Sequence, residues 1–350
     1  MTTPRPAALV VLAVLAGTLV AGLLGLLTSG VQATVAPDRV PVALALPDDA
    51  PGPLRQVAER VTEQGGDQVA WHLVTPERAA ALLADRDVYG VLAFELTPDG
   101  LAPTVTVSGA VNPSGTQVAQ QLLTTAGQAA SAAAAERLPG ATARPATVIT
   151  EHPASAAARA VPLAASQLLW IGCLVGSVLL VGLTHRTGRR FGVGVRIGTT
   201  LAVPVGVVGG LLALMALWDS GLRMDARLVG FLLLVALAFA AVQGAVLRLL
   251  GLAGMAVLVP LFLIAPAVAG QVPELLHPAY RTLLWSWTPF RFSTEGVRSL
   301  LLMDHVPPDV RTAIWVLAGL AVAGLAVLLW PSRRGAVPAA DGMPERAPGA

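Results

Sequence analysis

The sequence contains no lysine; all 23 of its basic residues are arginine. That excludes a Walker A phosphate loop, a Schiff-base lysine and a Ser-Lys pair, each of which needs a lysine amine. There is one cysteine, Cys173, so an internal disulfide and a multi-cysteine metal site are out of reach. Cys173 sits in an apolar run and reads as a small buried hydrophobe. Charged residues make up only 13% of the 350, against about 25% in an average soluble domain. No Gly-x-Ser-x-Gly elbow, His-Glu-x-x-His pair or Gly-x-Gly-x-x-Gly fingerprint occurs, which argues against an enzyme. A net charge of +2 is too small to suggest nucleic-acid binding.

What is present is apolar: 55% hydrophobic residues and a mean hydropathy of +0.69. The charge is crowded into a few stretches between long charge-free runs, as expected of a chain whose main solvent is lipid. Six runs approach the roughly 20 residues a bilayer-crossing helix needs: Ala7–Leu27, Leu163–Leu183, Ile197–Trp218, Leu228–Leu247, Leu252–Val272 and Thr312–Trp330. Val31-Gln32-Ala33 after the first run resembles a cleavage site. The run exceeds the roughly 7–15 residues of a signal core, so it reads as an uncleaved anchor. Cleavage would leave the orientation of the rest unchanged.

Arginines set the expected orientation. His185–Arg196 holds Arg186, Arg189, Arg190 and Arg196 with no acid, so it is expected on the cytoplasmic side. Arg5, Arg248, Arg333 and Arg334 fall on that same side. Both termini are then inside: residues 1–6 as a short lead and 331–350 as a disordered tail. Trp218, Trp315 and Trp330 mark span ends, where amphipathic indoles prefer to sit. Pro204, Pro260 and Pro266 predict kinks, and Gly172/Gly176 and Gly206/Gly210 offer close helix approaches.

Residues 28–162 have the composition of a soluble domain, with 13 acids and 8 arginines between Pro37 and Pro162. Strands are expected over Val40–Leu46, Val69–Val74, Val88–Leu96, Leu101–Ser108 and Ala146–Thr150. Helices are expected over Pro53–Gln64, Pro76–Ala84 and Ser114–Arg137. The alternation predicts a small extracytoplasmic α/β domain. The fold class is thus an α-helical polytopic membrane protein, six spans arranged one plus five, with that domain inserted. The five later spans form a membrane domain over 163–330.

A second unusual segment, 273–311, is the outer loop before the last span. Tyr280, Trp285, Trp287, Phe290 and Phe292 place five of 16 aromatics within 13 residues. Amphipathic helices are expected near Glu274–Leu284 and Thr294–Met303, with a break at Pro289. The loop reads either as an aromatic anchor or as a lid over a path between helices. Glu274 and His277 lie one helical turn apart but have no further ligand nearby, so no metal site is assigned. The spans hold no acid or arginine, only groups such as Thr18, Gln167, Ser177, Thr199, Thr200 and Gln243. Proton-coupled carriers usually keep an ionisable group there, so energy for any transport is expected from another subunit.

One span, a large ectodomain and five further spans is the layout of the YhgE/Pip-like membrane proteins, a branch of the type-2 ABC transporter permease superfamily. The resemblance covers most of the chain. It is carried by Arg39-Val-Pro-Val-Ala-Leu-Ala-Leu, Asp87-Val-Tyr-Gly-Val-Leu, Ala265-Pro-Ala-Val-Ala-Gly-Gln-Val-Pro-Glu-Leu-Leu and Thr288-Pro-Phe-Arg-Phe-Ser-Thr-Glu-Gly-Val-Arg. It implies a homodimeric permease in a bacterial plasma membrane, served by a separately encoded ATPase and using no cofactor. Arg186, Arg189, Arg190 and Arg196 then read either as topology determinants or as ATPase-docking contacts. Trp285, Trp287, Pro289, Phe290, Glu295 and Arg298 become the candidate outer gate or family motif. The alternative is a non-transporting envelope receptor or secretion scaffold acting through the ectodomain.

Overall fold

The computed structural model describes residues 6–64, 66–137, 141–187, 193–303 and 306–330. Arg189, Arg190 and the expected tail 331–350 lie outside these. The first helix, α1 (Pro6–Ala33), leads into β1 (Val40–Ala45), α2 (Gly52–Gln64), β2 (Val69–Val74), α3 (Pro76–Ala84), β3 (Gly90–Thr97), β4 (Gly100–Ser108), α4 (Pro113–Ala135) and β5 (Thr147–Glu151). The expected α/β domain is present, and each expected strand and helix falls within a few residues of its observed bounds.

The sheet order is β2-β1-β3-β4-β5, parallel except for the β3–β4 hairpin. That hairpin closes on Gly100, whose φ of +131° only glycine adopts without strain. Alternate residues of β1 and β3 explain the layering. Val40, Val42, Leu44, Leu92 and Phe94 face a core shared with α2 and α4, while Ala43, Ala45 and Val91 face α3. Helix α3 begins with the Thr75 side chain accepting from the Arg78 amide and with Pro76 in its first turn.

The helical part comprises α5 (Ala156–Thr187), α6 (Val193–Trp218), α7 (Ala226–Leu250), α8 (Met255–Ala269), the single turn α9 (Pro278–Tyr280), α10 (Pro289–Leu302) and α11 (Pro308–Leu329). Five stretches are long and apolar enough to cross a membrane, with α7 and α8 counted as one continuous stretch, Ala226–Ala269. The chain is therefore a membrane-embedded protein by length and composition. Over the expected span Leu252–Val272 the chain forms a 3₁₀ turn, Gly251–Gly254, and a 15-residue helix. The backbone breaks at Gly251, where φ is +60°, and Pro260 and Pro266 each remove a helix donor.

Contacts fix the directions of these helices. The α6 end meets the start of α5, where the Ser155 hydroxyl donates to Asp219 at 2.6 Å. Gly172 and Gly176 lie against Val207 and Val203, the pairing of an antiparallel α5–α6 contact. Gly206 and Gly210 face open space and make no such approach among the described residues. On α11, Gly324 sits directly on the Ala241 backbone of α7. Helix α7 is the central helix, with Phe231, Leu232, Val235 and Phe239 buried in the bundle core. Helix α1 is exposed over residues 14–23 and is held at its end by Val31, buried against Ala267, Val268 and Leu276. Exposed Leu19, Val175, Val205 and Val322 give the bundle an apolar outer surface, the surface that lipid requires.

Candidate functional site

The α/β domain meets the helical bundle through a junction of charged and polar groups. It is built on Arg86, which follows α3 in the left-handed conformation (φ 68°). The Asp87 amide donates to the Leu82 carbonyl at 2.9 Å and the Arg86 amide to Leu83 at 3.2 Å. That is the Schellman arrangement, in which glycine is the usual left-handed residue. A side chain at this position costs about 1 kcal/mol of backbone strain, so the guanidinium contacts must offset it.

Those contacts reach far along the chain. Arg86 Nη2 donates to Glu295 Oε2 at 2.7 Å and Nη1 to Asp309 Oδ2 at 2.8 Å, with Ser299 Oγ beside it. Glu295 Oε1 accepts from Asn112 Nδ2 at 2.9 Å and from Arg298, one turn along α10. Asn112 is also the N-cap of α4, its Oδ1 accepting from the Ser114 amide at 3.1 Å. One carboxylate thereby ties the α3–β3 turn, the start of α4 and α10 together, and Arg86 adds the start of α11. Burial pushes the Glu295 carboxyl up, but the guanidinium groups of Arg298 and then Arg86 outweigh it, leaving it below the usual carboxylate range.

Beside this cluster the Tyr89 hydroxyl donates to Glu274 Oε2 at 2.8 Å. Burial first, and the Glu274 charge second, push the phenol well above its ordinary value. The Asp38 amide donates to the Glu274 carbonyl at 2.9 Å, so the linker after α1 is stitched to the same turn. Val272 and Leu275 enter the hydrophobic core of the α/β domain.

Helix α10 carries the junction into the bundle. Phe290 is buried between Trp170 and Phe239, with ring centroids 4.9 and 5.2 Å away. Ser293 Oγ donates to Ser166 Oγ at 2.7 Å, and Ser166 Oγ lies 3.1 Å from Thr294 Oγ1. Gly296 admits the Phe231 ring against the α10 backbone. The helix starts at Pro289, earlier than the expected Thr294, because proline suits the first helical turn. The expected helix Glu274–Leu284 is instead a series of short turns around Pro273, Pro278 and a π-helical stretch, Arg281–Trp285. Pro278 has no amide donor to continue a helix.

The expected gate residues thus separate. Phe290 and Arg298 belong to the buried seat of α10, Glu295 lies part-buried at its edge, and Pro289 starts it. Trp285 lies at the junction with the Arg291 guanidinium 3.8 Å above its ring, whereas Trp287 is exposed. Next to the cluster is a cavity of about 490 Å³ bordered by Arg86, Trp285, Arg291, Phe292, Glu295 and Asp309. Asp309 Oδ1 and, nearby, Gln271 Oε1 are buried acceptors without a partner among the described residues. The mixture of rings, guanidinium groups and open acceptors suits a bound amphiphile. Among the described residues no three His, Cys, Asp or Glu side chains gather as a metal site. His277 caps α9, with its Nδ1 accepting from the Ala279 amide at 3.3 Å.

Arg186 is exposed near the end of α5, and Arg196 lies half-buried in the first turns of α6. Sequence reasoning did not single out Arg86, Tyr89, Asn112, Ser299 or Asp309. The one available signal was an arginine where a helix-ending glycine was due. No family model, curated protein or solved structure matches the chain.

Proposed function

We propose that this chain is the permease subunit of an ABC-type export system, moving a hydrophobic or envelope-related substrate with energy from a separate ATPase. In this reading it is a homodimeric, six-pass protein of a bacterial plasma membrane with both termini cytoplasmic. The chain performs no chemistry itself. Its α/β domain is extracytoplasmic, and the basic stretch Arg186, Arg189 and Arg190 contacts the ATPase, while Arg196 lies deeper, at the start of α6.

The observation that carries this reading is the seat of α10. A helix embedded between α5, α7 and α11 holds the α/β domain through Glu295. A rearrangement of the bundle therefore moves the domain and reshapes the adjoining cavity. The sixth span is α8 together with its preceding turn. Gly254 lies beside Val246 at the end of α7, and Gly270 lies beside Leu163 at the start of α5, so this stretch runs back antiparallel to α7. Its rise of about 30 Å matches the hydrocarbon core. The resemblance of the 265–276 and 288–298 segments to YhgE/Pip-like proteins supports the same reading.

A second reading, an envelope receptor or scaffold, is favoured by the β5 edge, where Val148 and Ile149 are exposed as a ready pairing strand. Composition of the complex captured from native membranes through a tagged full-length chain separates the two. The permease reading expects an ATPase subunit in stoichiometric amount. Recovery of only envelope proteins bound to the α/β domain would reject it in favour of the scaffold.

A further inference from the structure

At the end of the bundle away from the α/β domain, a cavity of about 270 Å³ opens between α5, α6, α7 and α11. Its polar lining includes Arg196, Arg248, Ser177, Thr199 and Thr200, and its walls include Leu180, Val203 and Leu247. Arg196 is in the first turns of α6 and Arg248 in the last turn of α7. Both therefore stand at the depth where a bilayer carries its phosphate groups. The sequence has no acid between Glu151 and Asp219 or between Asp225 and Glu274. Those four residues belong to the opposite end, where the α/β domain sits. The Arg196 guanidinium consequently makes no ion pair among the described residues, although it is half-buried in an apolar wall. A half-buried cation of this kind attracts an anion, and none is supplied by the described residues.

We propose that this cavity seats the phosphate headgroup of an anionic phospholipid, with its acyl chains lying along the exposed α6 face at Leu201 and Val205. Arg196 is the recognising charge. Arg248 donates to the carbonyls of Leu328 and Trp330 at the end of α11, so it fixes one wall and contributes positive potential. The Thr199 and Thr200 hydroxyls donate to the Val195 and Arg196 carbonyls at 2.7 and 2.8 Å, so their protons are already engaged and charge is the selective feature. Gly244 and Gly251 carry no side chain into the opening. The positive end of the α6 dipole adds to the attraction. The site rests on the membrane embedding of the chain and is independent of the export reading.

Native mass spectrometry of the full-length chain, released from bilayers containing equal amounts of phosphatidylglycerol and phosphatidylcholine, tests this. Phosphatidylglycerol should be retained about tenfold over phosphatidylcholine, the effect of one desolvated charge-assisted contact. Arg196→Ala should abolish the preference, Arg196→Lys should keep it, and Leu19→Ala on the exposed face of α1, away from the cavity, should leave it unchanged. Arg196→Gln replaces the alanine variant if that one is not monodisperse. Equal retention of the two lipids by the native chain would overturn the proposal, as would an unchanged preference in Arg196→Ala. Displacement of phosphatidylglycerol by millimolar inorganic phosphate would assign the cavity to a soluble anion and overturn it as well.

Discussion

Replacing Arg86 tests the junction because backbone and side chain pull in opposite directions there. The side chain is 13% exposed, and its partners Glu295 and Asp309 are 25% and 41% exposed. Removing one partner of a buried ion pair costs about 3–5 kcal/mol, and an exposed pair contributes about 1 kcal/mol or less. The intermediate exposure places Arg86→Ala at about 2–3 kcal/mol of junction stability. Alanine keeps the strain of a φ of 68°, whereas glycine relieves about 1 kcal/mol of it. Arg86→Gly should thus lose about 1–2 kcal/mol, less than alanine although it removes more atoms. Amide exchange of the full-length chain in lipid nanodiscs reads this directly. Exchange in the 272–303 segment should accelerate about 30–150-fold in Arg86→Ala and about 5–30-fold in Arg86→Gly. The exposed Arg78→Ala serves as control and should match the native chain. Native exchange rates in Arg86→Ala, or faster exchange in glycine than in alanine, would refute the reasoning.

Other perturbations follow from the same contacts. Glu295 has a lowered pKa, so its contribution is complete above the free-glutamate value near 4.3 and is lost as pH falls below it. Tyr89 is raised, so its contribution is complete below about 10 and is lost as pH rises beyond. Exchange protection of the junction should be flat near neutrality, with an acid limb absent from Glu295→Gln and an alkaline limb absent from Tyr89→Phe. A Cβ at Gly176 would lie 2.7 Å from Val203 Cγ1, while none of the surroundings of Gly206 comes within 4 Å. Gly176→Ala should lower the midpoint of thermal unfolding by about 1–3 kcal/mol worth of stability, with Gly206→Ala near native; equal effects would contradict the α5–α6 packing. In a Cys173→Ala background, a membrane-impermeant thiol reagent added to intact cells should label Gln117→Cys and spare Arg186→Cys. The reverse pattern would invert the proposed topology.

The α/β domain was legible because its signals are local. Alternation in Val40–Ala45, the Thr75-Pro76 start of α3 and the Asp99-Gly100 turn each specify their own element. The long helices were legible for the same reason, through charge-free runs. Helix α8 was harder, since Gly251 and two prolines divide an apolar stretch that composition alone leaves whole. The junction was illegible because Arg86 meets Glu295 and Asp309 across 209 and 223 residues. Glu295 and Arg298 were singled out through a resemblance, and their one-turn spacing matches their pairing. The partners on the α/β domain had no such marker. Arg86 departs from a local rule, and such departures concentrate where tertiary contacts take over.

The central claim is that ATP hydrolysis on a partner subunit acts through this chain. The direct measurement is vanadate-sensitive ATP hydrolysis by the complex captured through the full-length protein and held in lipid nanodiscs. The account predicts hydrolysis that co-elutes with the chain and falls when Arg186, Arg189 and Arg190 are replaced together by alanine, while the chain remains inserted. Absence of hydrolysis from the native complex, or activity indifferent to those three arginines, would contradict it.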